Sequence, residues 1–369
     1  MSNHTRVLVP AALCATLLAG CGSQQGSPDA ITVQATDDAC TLSAASAPAG
    51  TIHFQVTNGG SQVTEFYLYG EGDRIISEVE NIGPGLTRQL VAEVPQGGKY
   101  TAACKPGMQG DGIRSDFTVT GAAAAQDGAA AQAVAAYKGY VDEQAGEIEK
   151  LTGQFVDAVK AGDVERAKQL YAQAREPWER IEPVAESFGD LDPKIDGREA
   201  DLEPGQEFTG FHRLEKDLWV TGLQPDSAAI ADRLMADVRD LVAQSRTVEL
   251  TPTGVANGAK GLLDEVATGK VTGEEEIFSH TDLWDFQANV DGAQQVITSL
   301  RPVLTGKDPK LLATLDEKFA AVNGLLGRYR DGEGFKPYTD LNPDQVRELA
   351  AAVDALSEPL SQTAGAVAK

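Results

Sequence analysis

Hydrophobic and polar residues alternate with a period of two along the N-terminal third of the chain. The alternation covers residues 32–36, 52–57, 65–69 and 117–120, and a period of two predicts β-strands with one buried face. Turns rich in glycine, asparagine and proline separate these segments. Short strands at such spacing are typical of a small β-sandwich, which we assign to residues 30–120.

The hydrophobic period becomes helical after residue 133. Apolar residues recur at spacings of three, four and seven from Val134 to Val159, and similar stripes continue to the C-terminus. We therefore predict an all-α, multi-helix domain over residues 134–369. Residues 121–133 are almost all alanine, glycine, glutamine and aspartate, which predicts a linker. Loops are predicted near 189–210, 247–257 and 328–343.

The first twenty residues have the pattern of an export signal. A basic residue precedes an apolar run over 7–18, which is too short to span a bilayer. The run ends in Leu18-Ala19-Gly20-Cys21, which resembles the bacterial lipobox. We predict a signal peptide over 1–20, lipidation at Cys21 and a polar tether over 21–29. Acyl chains would anchor the protein outside the cytoplasm, at the cell surface or in the periplasm. The alternative is an ordinary secretory signal.

Charge and cysteine content narrow the classes of function. The chain has 55 acidic and 31 basic residues, with a net charge of −24. This disfavours nucleic acid as a partner, because phosphates need lysine and arginine. An acidic surface suits cations, although it also serves solubility alone. Export would leave Cys40 and Cys104 as an even pair in an oxidising compartment.

A histidine and a glutamate three positions apart are the first metal-ligand candidates. His212 and Glu215 would share one face of a helix, and imidazole with carboxylate suits iron, zinc or manganese. A surface ion pair is the simpler explanation of such a pair. Glu182 lies at the edge of the apolar stripe through Trp178, while Glu179 lies further round. A buried carboxylate there must be paired, hydrogen-bonded or metal-bound.

Further acids precede and follow this pair. Asp192 and Asp196 lie in the loop before His212, where solvated acids are the usual explanation. Later in the chain, Glu276 and His280 are four apart and are predicted to share one helical face, with Glu275 on another. Either group could complete a metal site between helices, or could only cap a helix N-terminus.

Several segments, in this order, resemble the EfeO family of iron-uptake lipoproteins: residues 178–186, 188–192, 195–199, 208–218, 273–275, 279–289 and 334–335. The resemblance implies an imelysin-like domain of two packed helical bundles over 134–369, with a metal pocket in the first. It implies iron (Fe²⁺ or Fe³⁺) as cargo, with copper or zinc also accepted. It also implies two partners, a membrane iron permease and a haem-dependent peroxidase. The implied ligands are His212 and Glu215, with Glu182 or Glu179 and Asp196 or Asp192.

The predicted sandwich resembles the cupredoxin-like domain that some members of this family carry. The resemblance is found at Cys40 and at residues 65–66, 77–85, 97–100 and 104–108. A blue-copper site needs two histidines, a cysteine and usually an axial methionine. Met108 is suitably placed, but His53 is the one histidine here and lies in mid-strand, so we predict no blue-copper site. Two interpretations of the cysteines stay open. One is a disulfide between Cys40 and Cys104. The other is a thiolate pair binding copper or iron, with carboxylates from Glu65, Glu78 or Glu80.

The sequence thus predicts an extracytoplasmic iron-binding lipoprotein that delivers iron to a permease. The family carries a peptidase name, but the HExxH pattern of many zinc peptidases is absent, so we expect binding rather than catalysis. Alternatives are a surface-anchored zinc peptidase and a metal-independent polysaccharide-binding or adhesion protein. Because His212 must be deprotonated to bind, affinity should fall as the pH drops through about 6.5.

Overall fold

The computed structural model of the protein describes residues 29–123, 128–202 and 205–369. The predicted signal peptide and Cys21 lie outside the described residues. None of the described helices combines the length and the apolar character that a membrane crossing requires.

The described N-terminal region is a β-sandwich. Its strands are β1 (Ile31–Ala35), β2 (Cys40–Leu42), β3 (Ser46–Pro48), β4 (Gly50–Asn58), β5 (Thr64–Tyr69), β6 (Ile75–Ile82), β7 (Thr87–Val94), β8 (Gln96–Cys104) and β9 (Ile113–Ala122). One sheet has the order β2-β1-β4-β7 and the other β3-β9-β8-β5-β6. Phe54, Phe66 and Phe117 meet in the core between the sheets. The predicted sandwich is confirmed, and each predicted segment is a strand.

The rest of the described chain is mainly helical. Its helices are α1 (Gly128–Ala161), α2 (Val164–Ile181), α3 (Leu191–Ile195), α4 (Gly210–Lys216), α5 (Ser227–Ser245), α6 (Pro252–Thr268), α7 (Asp282–Lys307), α8 (Pro309–Leu326), α9 (Pro343–Leu360) and α10 (Thr363–Ala368), with a small hairpin of β10 (Arg330–Asp331) and β11 (Gly334–Phe335). Helix α7 packs against α1 and α2 as well as against α6 and α8. One apolar core runs through these helices. The predicted all-α fold is confirmed.

Three predicted boundaries differ from the structure, and one of them is the loop predicted near 189–210, which contains α3. Strand β9 continues to Ala122 and α1 begins at Gly128, so residues 128–133 of the predicted linker are helical. Alanine has the highest helix propensity, which favours this extension. Helix α6 begins at Pro252, inside the loop predicted over 247–257. Proline suits the first helical position, and Thr251 caps the helix by accepting a hydrogen bond from the Gly254 amide at 3.0 Å.

The sandwich lies against the helical domain through β6, β7 and α6. The Asn257 side chain on α6 donates to the Val91 carbonyl at 2.8 Å and lies 3.1 Å from Ser77 Oγ. Val91 is buried in the core of the helical domain rather than in that of the sandwich. The two domains therefore share a packed interface as well as a chain connection.

Candidate metal centre

His212 and Glu215 lie on α4, a short helix packed closely against the end of α3. Its first residue, Gly210, has a φ of +79°, and a Cβ there would collide with the Ile195 carbonyl. Only glycine allows this approach. His212 is 2% exposed and Glu215 is 0% exposed. Residues three positions apart lie on the same face of a helix, and here that face is directed towards the interior.

The two ring nitrogens of His212 face different carboxylates. Nδ1 lies 3.2 Å from Glu215 Oε2, while Nε2 lies 3.5 Å from Asp196 Oδ1 and 3.6 Å from Glu275 Oε1. Glu276 forms a second group with His212 and Glu215, and within each group the donor atoms lie within 4.8 Å of one another. Among the described residues, Nε2 has no hydrogen-bond partner. One nitrogen is therefore held by a carboxylate and the other is available to a metal ion.

Glu215 is fixed from its other side by the backbone. Its Oε1 accepts hydrogen bonds from the Phe278 amide at 2.9 Å and the Ser279 amide at 2.6 Å. A carboxylate that is anchored in this way and bonded to an imidazole sets the tautomer and orientation of the ring. The geometry thus suits Glu215 to orienting His212 as well as to direct ligation.

Residues 273–281 form turns rather than a helix, so the predicted helical face shared by Glu276 and His280 is wrong. Left-handed backbone at Gly273 (φ +78°) and His280 (φ +60°) interrupts any helical repeat. The turn nevertheless brings Glu275 and Glu276 to His212, because the Glu276 amide donates to Asp282 Oδ1 at 3.1 Å. Glu276 is 0% exposed and Glu275 is 4% exposed.

A buried arginine that is not among the predicted site residues lies among these acids. Arg175 on α2 is 0% exposed and forms close ion pairs with Asp196 and Glu179. Its Nε lies 2.6 Å from Glu276 Oε1 and 3.5 Å from Asp285 Oδ1. Arg175 therefore supplies a fixed positive charge that holds carboxylates of several elements together. Arg175 lies one turn before Trp178 on the apolar stripe of α2, and a charged residue at such a position predicts a buried charge.

The second buried cation, Lys270, holds two of the predicted ligands. Its Nζ lies 3.0 Å from Glu179 Oε2 and 2.8 Å from Glu182 Oε1. Asn289 on α7 also donates to Glu179, at 2.9 Å. Glu179 is 0% exposed, so its predicted position further round the helix is wrong. Glu179 and Glu182 are not among the groups that converge on the imidazole.

Asp196 is the predicted loop acid that reaches His212, whereas Asp192 does not. The Trp178 indole donates to Asp196 Oδ2 at 3.0 Å, which fixes the carboxylate with its other oxygen towards Nε2. Asp192 lies one turn earlier on α3, in the wall of the cleft between the two domains. Both acids line the cleft, but Asp196 also reaches the imidazole.

In the sandwich, Cys40 and Cys104 form a disulfide with an S–S length of 2.07 Å. Cys104 pairs with Phe66 across β5 and β8 and lies in the core between the sheets. Successive strand residues face opposite sides, so Glu65 points away from the sulfurs. The predicted metal site combining these cysteines with nearby carboxylates is therefore not formed in the structure.

The three glutamates of that predicted site gather on the outer face of the sheet around Tyr67. The Tyr67 hydroxyl lies 3.0 Å from both Glu65 Oε2 and Glu80 Oε1, and Glu78 is paired with Tyr67 across the strands. Met108 is 41% exposed in the loop after β8. The structure thus brings the glutamates together but separates them from the disulfide.

The charge states around His212 follow from these contacts. Burial and Arg175 each lower the pKa of His212, but the carboxylates of Glu215, Glu275 and Glu276 outweigh them and raise it to about 10. Burial alone would raise the pKa of Asp196, yet Arg175 and His212 hold it below its usual value. Without a metal ion, His212 is therefore an imidazolium among carboxylates at neutral pH.

The first comparisons define the class of protein. Residues 133–363 match the Imelysin family and residues 8–119 match the Cupredoxin-like domain. Among solved structures, reduced auracyanin from Roseiflexus castenholzii is similar over 26% of this chain and 100% of its own, at 20% identity and a TM-score of 0.22. The chain is a member of the imelysin family that carries a cupredoxin-like domain ahead of its helices.

Full-length relatives then identify the particular family. The iron uptake system component EfeO of Escherichia coli K12 is 38% identical over 341 residues, which is 91% of this chain and 90% of the relative. The EfeO proteins of Shigella flexneri and Escherichia coli O157:H7 show the same identity and coverage. The chain belongs to the EfeO family.

The raised pKa of His212 predicts proton release on metal binding. The empty centre holds a proton on His212 until the pH approaches about 10, whereas a metal ion requires the neutral ring. Affinity for zinc should therefore keep rising by about tenfold per pH unit from about pH 6 to pH 8, with no plateau above the ordinary imidazole value of about 6.5. This corrects the pH dependence expected from the sequence. Calorimetry in buffers of different ionisation enthalpy should show at least one proton released at neutral pH.

The control for this prediction is His212→Ala, in which the imidazole proton is missing. Any residual zinc binding by this variant should release about one proton fewer than the wild type. A plateau in the wild-type affinity above about pH 6.5 would contradict the raised pKa.

Proposed function

We propose that the chain is an extracytoplasmic iron-binding lipoprotein that captures iron and delivers it to a membrane permease. The observation that supports this most strongly is the buried and unpartnered Nε2 of His212, which faces Asp196 Oδ1 at 3.5 Å and Glu275 Oε1 at 3.6 Å. Buried polar atoms are rarely left without a partner. A cation between these three groups would satisfy the nitrogen and offset the two carboxylates.

The proposed ligands are His212 through Nε2, Asp196 and Glu275. Glu215 would orient the imidazole, because it already bonds Nδ1 and is anchored by two backbone amides. A mixed nitrogen and oxygen set suits iron and also accepts zinc or copper, whose intrinsic affinities are often higher. Selectivity for iron would then depend on supply and on the partner protein.

We propose binding rather than hydrolysis at this centre. A catalytic zinc keeps an open position for water and substrate, but His212, Glu215, Glu275 and Glu276 are all 4% exposed or less. The Arg175 guanidinium also contacts both the Asp196 and the Glu276 carboxylates. These features leave little room for a peptide bond beside the metal.

The proposed partners are a membrane iron permease and a haem-dependent peroxidase of the same uptake system. The supporting observation is that the relatives are named as components of an iron uptake system. The lipid anchor at Cys21 would hold the protein beside the permease. The signal and Cys21 lie outside the described residues, so this part of the proposal is supported by the sequence pattern.

Replacing Cys21 with serine should release the mature protein from the membrane, because serine cannot take the thioether-linked lipid. Fractionation of cells expressing Cys21→Ser should find the protein in the soluble extracytoplasmic fraction or the medium, while the wild type needs detergent for release. A Cys14→Ser variant is the matched control and should stay with the membrane. Retention of Cys21→Ser in the membrane would contradict the proposed anchor.

The function itself is tested by iron uptake in cells. In a strain that lacks its own protein of this type, the wild-type protein should restore the accumulation of radioactive iron. His212→Ala, present at equal abundance, should not restore it. Wild-type protein that restores no uptake, or His212→Ala that restores it fully, would contradict the proposed function. Turnover of casein by the purified zinc-loaded protein would instead support the peptidase alternative.

A further inference from the structure

A cleft of about 1220 Å³ lies between the sandwich and the helical domain. Strands β6 and β7 form one wall, and residues 182–187, residues 192–198 and α6 form the other. Asp196 and Glu275, two of the proposed ligands, are among its lining residues. The cleft therefore reaches from the domain boundary to the two acids that face His212 Nε2.

Carboxylates from both domains face this cleft. Among the described residues that line it, thirteen are acidic and four are basic. Glu78 and Glu80 project from β6, and Glu186 projects from the opposite wall. Glu186 is exposed, Glu78 and Glu80 are half-buried, and Asp196 and Glu275 are buried. Acidic groups thus continue from the solvent to the metal centre, and such a surface concentrates cations.

Some lining acids are paired, as Asp264 is with Lys260 and Glu182 with Lys270, but Glu78, Glu80 and Glu186 form no salt bridge among the described residues. Glu78 Oε2 is buried without a hydrogen-bond partner among the described residues. Burial raises the pKa of Glu78 well above its usual value, and Glu186 of the other domain raises it further. Burial, Glu65 and Glu186 likewise raise the pKa of Glu80 to about 8. In their charged forms these groups would repel one another across the domain boundary, and a cation between them would favour those charged forms.

We propose that this cleft is the route by which the metal ion enters and leaves the His212 centre, with Glu78, Glu80 and Glu186 as transient ligands on the way. The proposal rests on the proposed function of that centre. The unpartnered Nε2 of His212, 2% exposed and facing the two buried lining acids, is the end of the route. Within the described structure, the cleft glutamates do not form a group with donor atoms within 4.8 Å of one another. They would therefore hold an ion less tightly than the centre does.

The kinetics of ferrous iron binding test this route. Trp178 donates to Asp196 at 3.0 Å, so its fluorescence should report the arrival of Fe²⁺ at the centre in anaerobic stopped-flow mixing. The cleft variant is the triple change Glu78→Gln, Glu80→Gln and Glu186→Gln. Its association rate should fall by about tenfold or more, and its dissociation rate should fall too, while the stoichiometry stays that of the wild type.

The matched control replaces the same number of acids by their amides, at exposed positions outside the cleft lining: Asp157→Asn, Glu165→Gln and Glu317→Gln. It should bind at close to the wild-type rate. If the two triple variants slow binding equally, general attraction explains the effect and the route is wrong. If the cleft variant instead binds fewer iron ions per molecule than the wild type, the replaced glutamates are permanent ligands. That result would also overturn the proposal.

A steric variant tests the route without any change of charge. Gly261 on α6 lines the cleft, and a Cβ there meets no atom within 4 Å. Gly261→Phe should therefore fold, narrow the cleft and slow Fe²⁺ association. Gly146→Phe, on the exposed side of α1, is the control and should leave the association rate unchanged. Wild-type rates in both the triple cleft variant and Gly261→Phe would overturn the route and leave the proposed function standing. Wild-type protein that binds iron no better than His212→Ala would overturn both.

Discussion

His212→Ala should abolish tight iron binding while leaving the helical circular dichroism spectrum almost unchanged. The variant loses the one nitrogen ligand and leaves Asp196 and Glu275 facing each other. We expect the affinity to fall by more than the roughly 10–100-fold that loss of an outer-shell partner typically costs. Titration calorimetry with ferrous iron under anaerobic conditions measures this directly. Binding by His212→Ala at wild-type affinity would show that the centre lies elsewhere.

Carboxylate variants of the same centre provide a graded control. Glu275→Gln should weaken binding about as strongly as His212→Ala, because Glu275 faces the available Nε2 at 3.6 Å. Glu215→Gln should cost about 10–100-fold, as expected for a residue that orients the ring. Glu276 lies next in sequence to Glu275 but groups with Glu215 rather than with Asp196, so Glu276→Gln should stay closest to the wild type. The reverse order for Glu275 and Glu276 would place the metal on Nδ1.

Arg175→Met should be the most destabilising single change in the helical domain. It would leave Glu179, Asp196 and Glu276 without the buried cation that pairs with them. Removing one partner of a buried ion pair costs about 3–5 kcal/mol. Denaturant unfolding followed by far-ultraviolet circular dichroism should therefore show a large drop in the free energy of unfolding.

Arg301→Met is the matched control for this change. Arg301 pairs with Asp316 at 2.6 Å, but both side chains are nearly half exposed. Exposed pairs contribute about 0–1 kcal/mol, so this variant should stay close to the wild type. Equal effects of the two substitutions would mean that the buried acids do not depend on Arg175.

The fold follows from local sequence patterns because those patterns reflect burial. The alternation at 52–57 and 65–69 and the stripe from Val134 to Val159 predict elements that the structure contains. Helix α6 was partly assigned to a loop, since Pro252 and Gly254 at its start are also loop residues. The alternation does not predict the strands between residues 75 and 104, and along β6 the burial itself is irregular.

The candidate centre was only partly accessible to sequence reasoning. The i,i+3 spacing places His212 beside Glu215, and the resemblance includes Asp196. The position of Glu275 depends on a turn between α6 and α7, and no periodicity encodes that turn. Arg175 and Lys270 pair with acids up to about a hundred positions away, and such contacts leave no local signal beyond a charged residue on an apolar stripe.

The cysteines show how strand geometry decides between interpretations that the sequence leaves open. The distance along the chain allows both a disulfide and a thiolate site with Glu65, Glu78 and Glu80. Alternation along β5 puts Phe66 towards Cys104 and Glu65 on the opposite face. A register shifted by one residue would exchange these faces. Glu78 and Glu80 thereby line the cleft towards the helical domain, and Glu65 lies beside Tyr67 instead of at the sulfurs.

Anomalous diffraction from crystals of the iron-loaded protein tests the central claim most directly. Measured at the iron absorption edge, it should show a peak within bonding distance of His212 Nε2 and of carboxylate oxygens of Asp196 and Glu275. The same measurement on His212→Ala crystals should show no peak at that position. A wild-type peak confined to the sandwich, with none beside His212, would contradict the account.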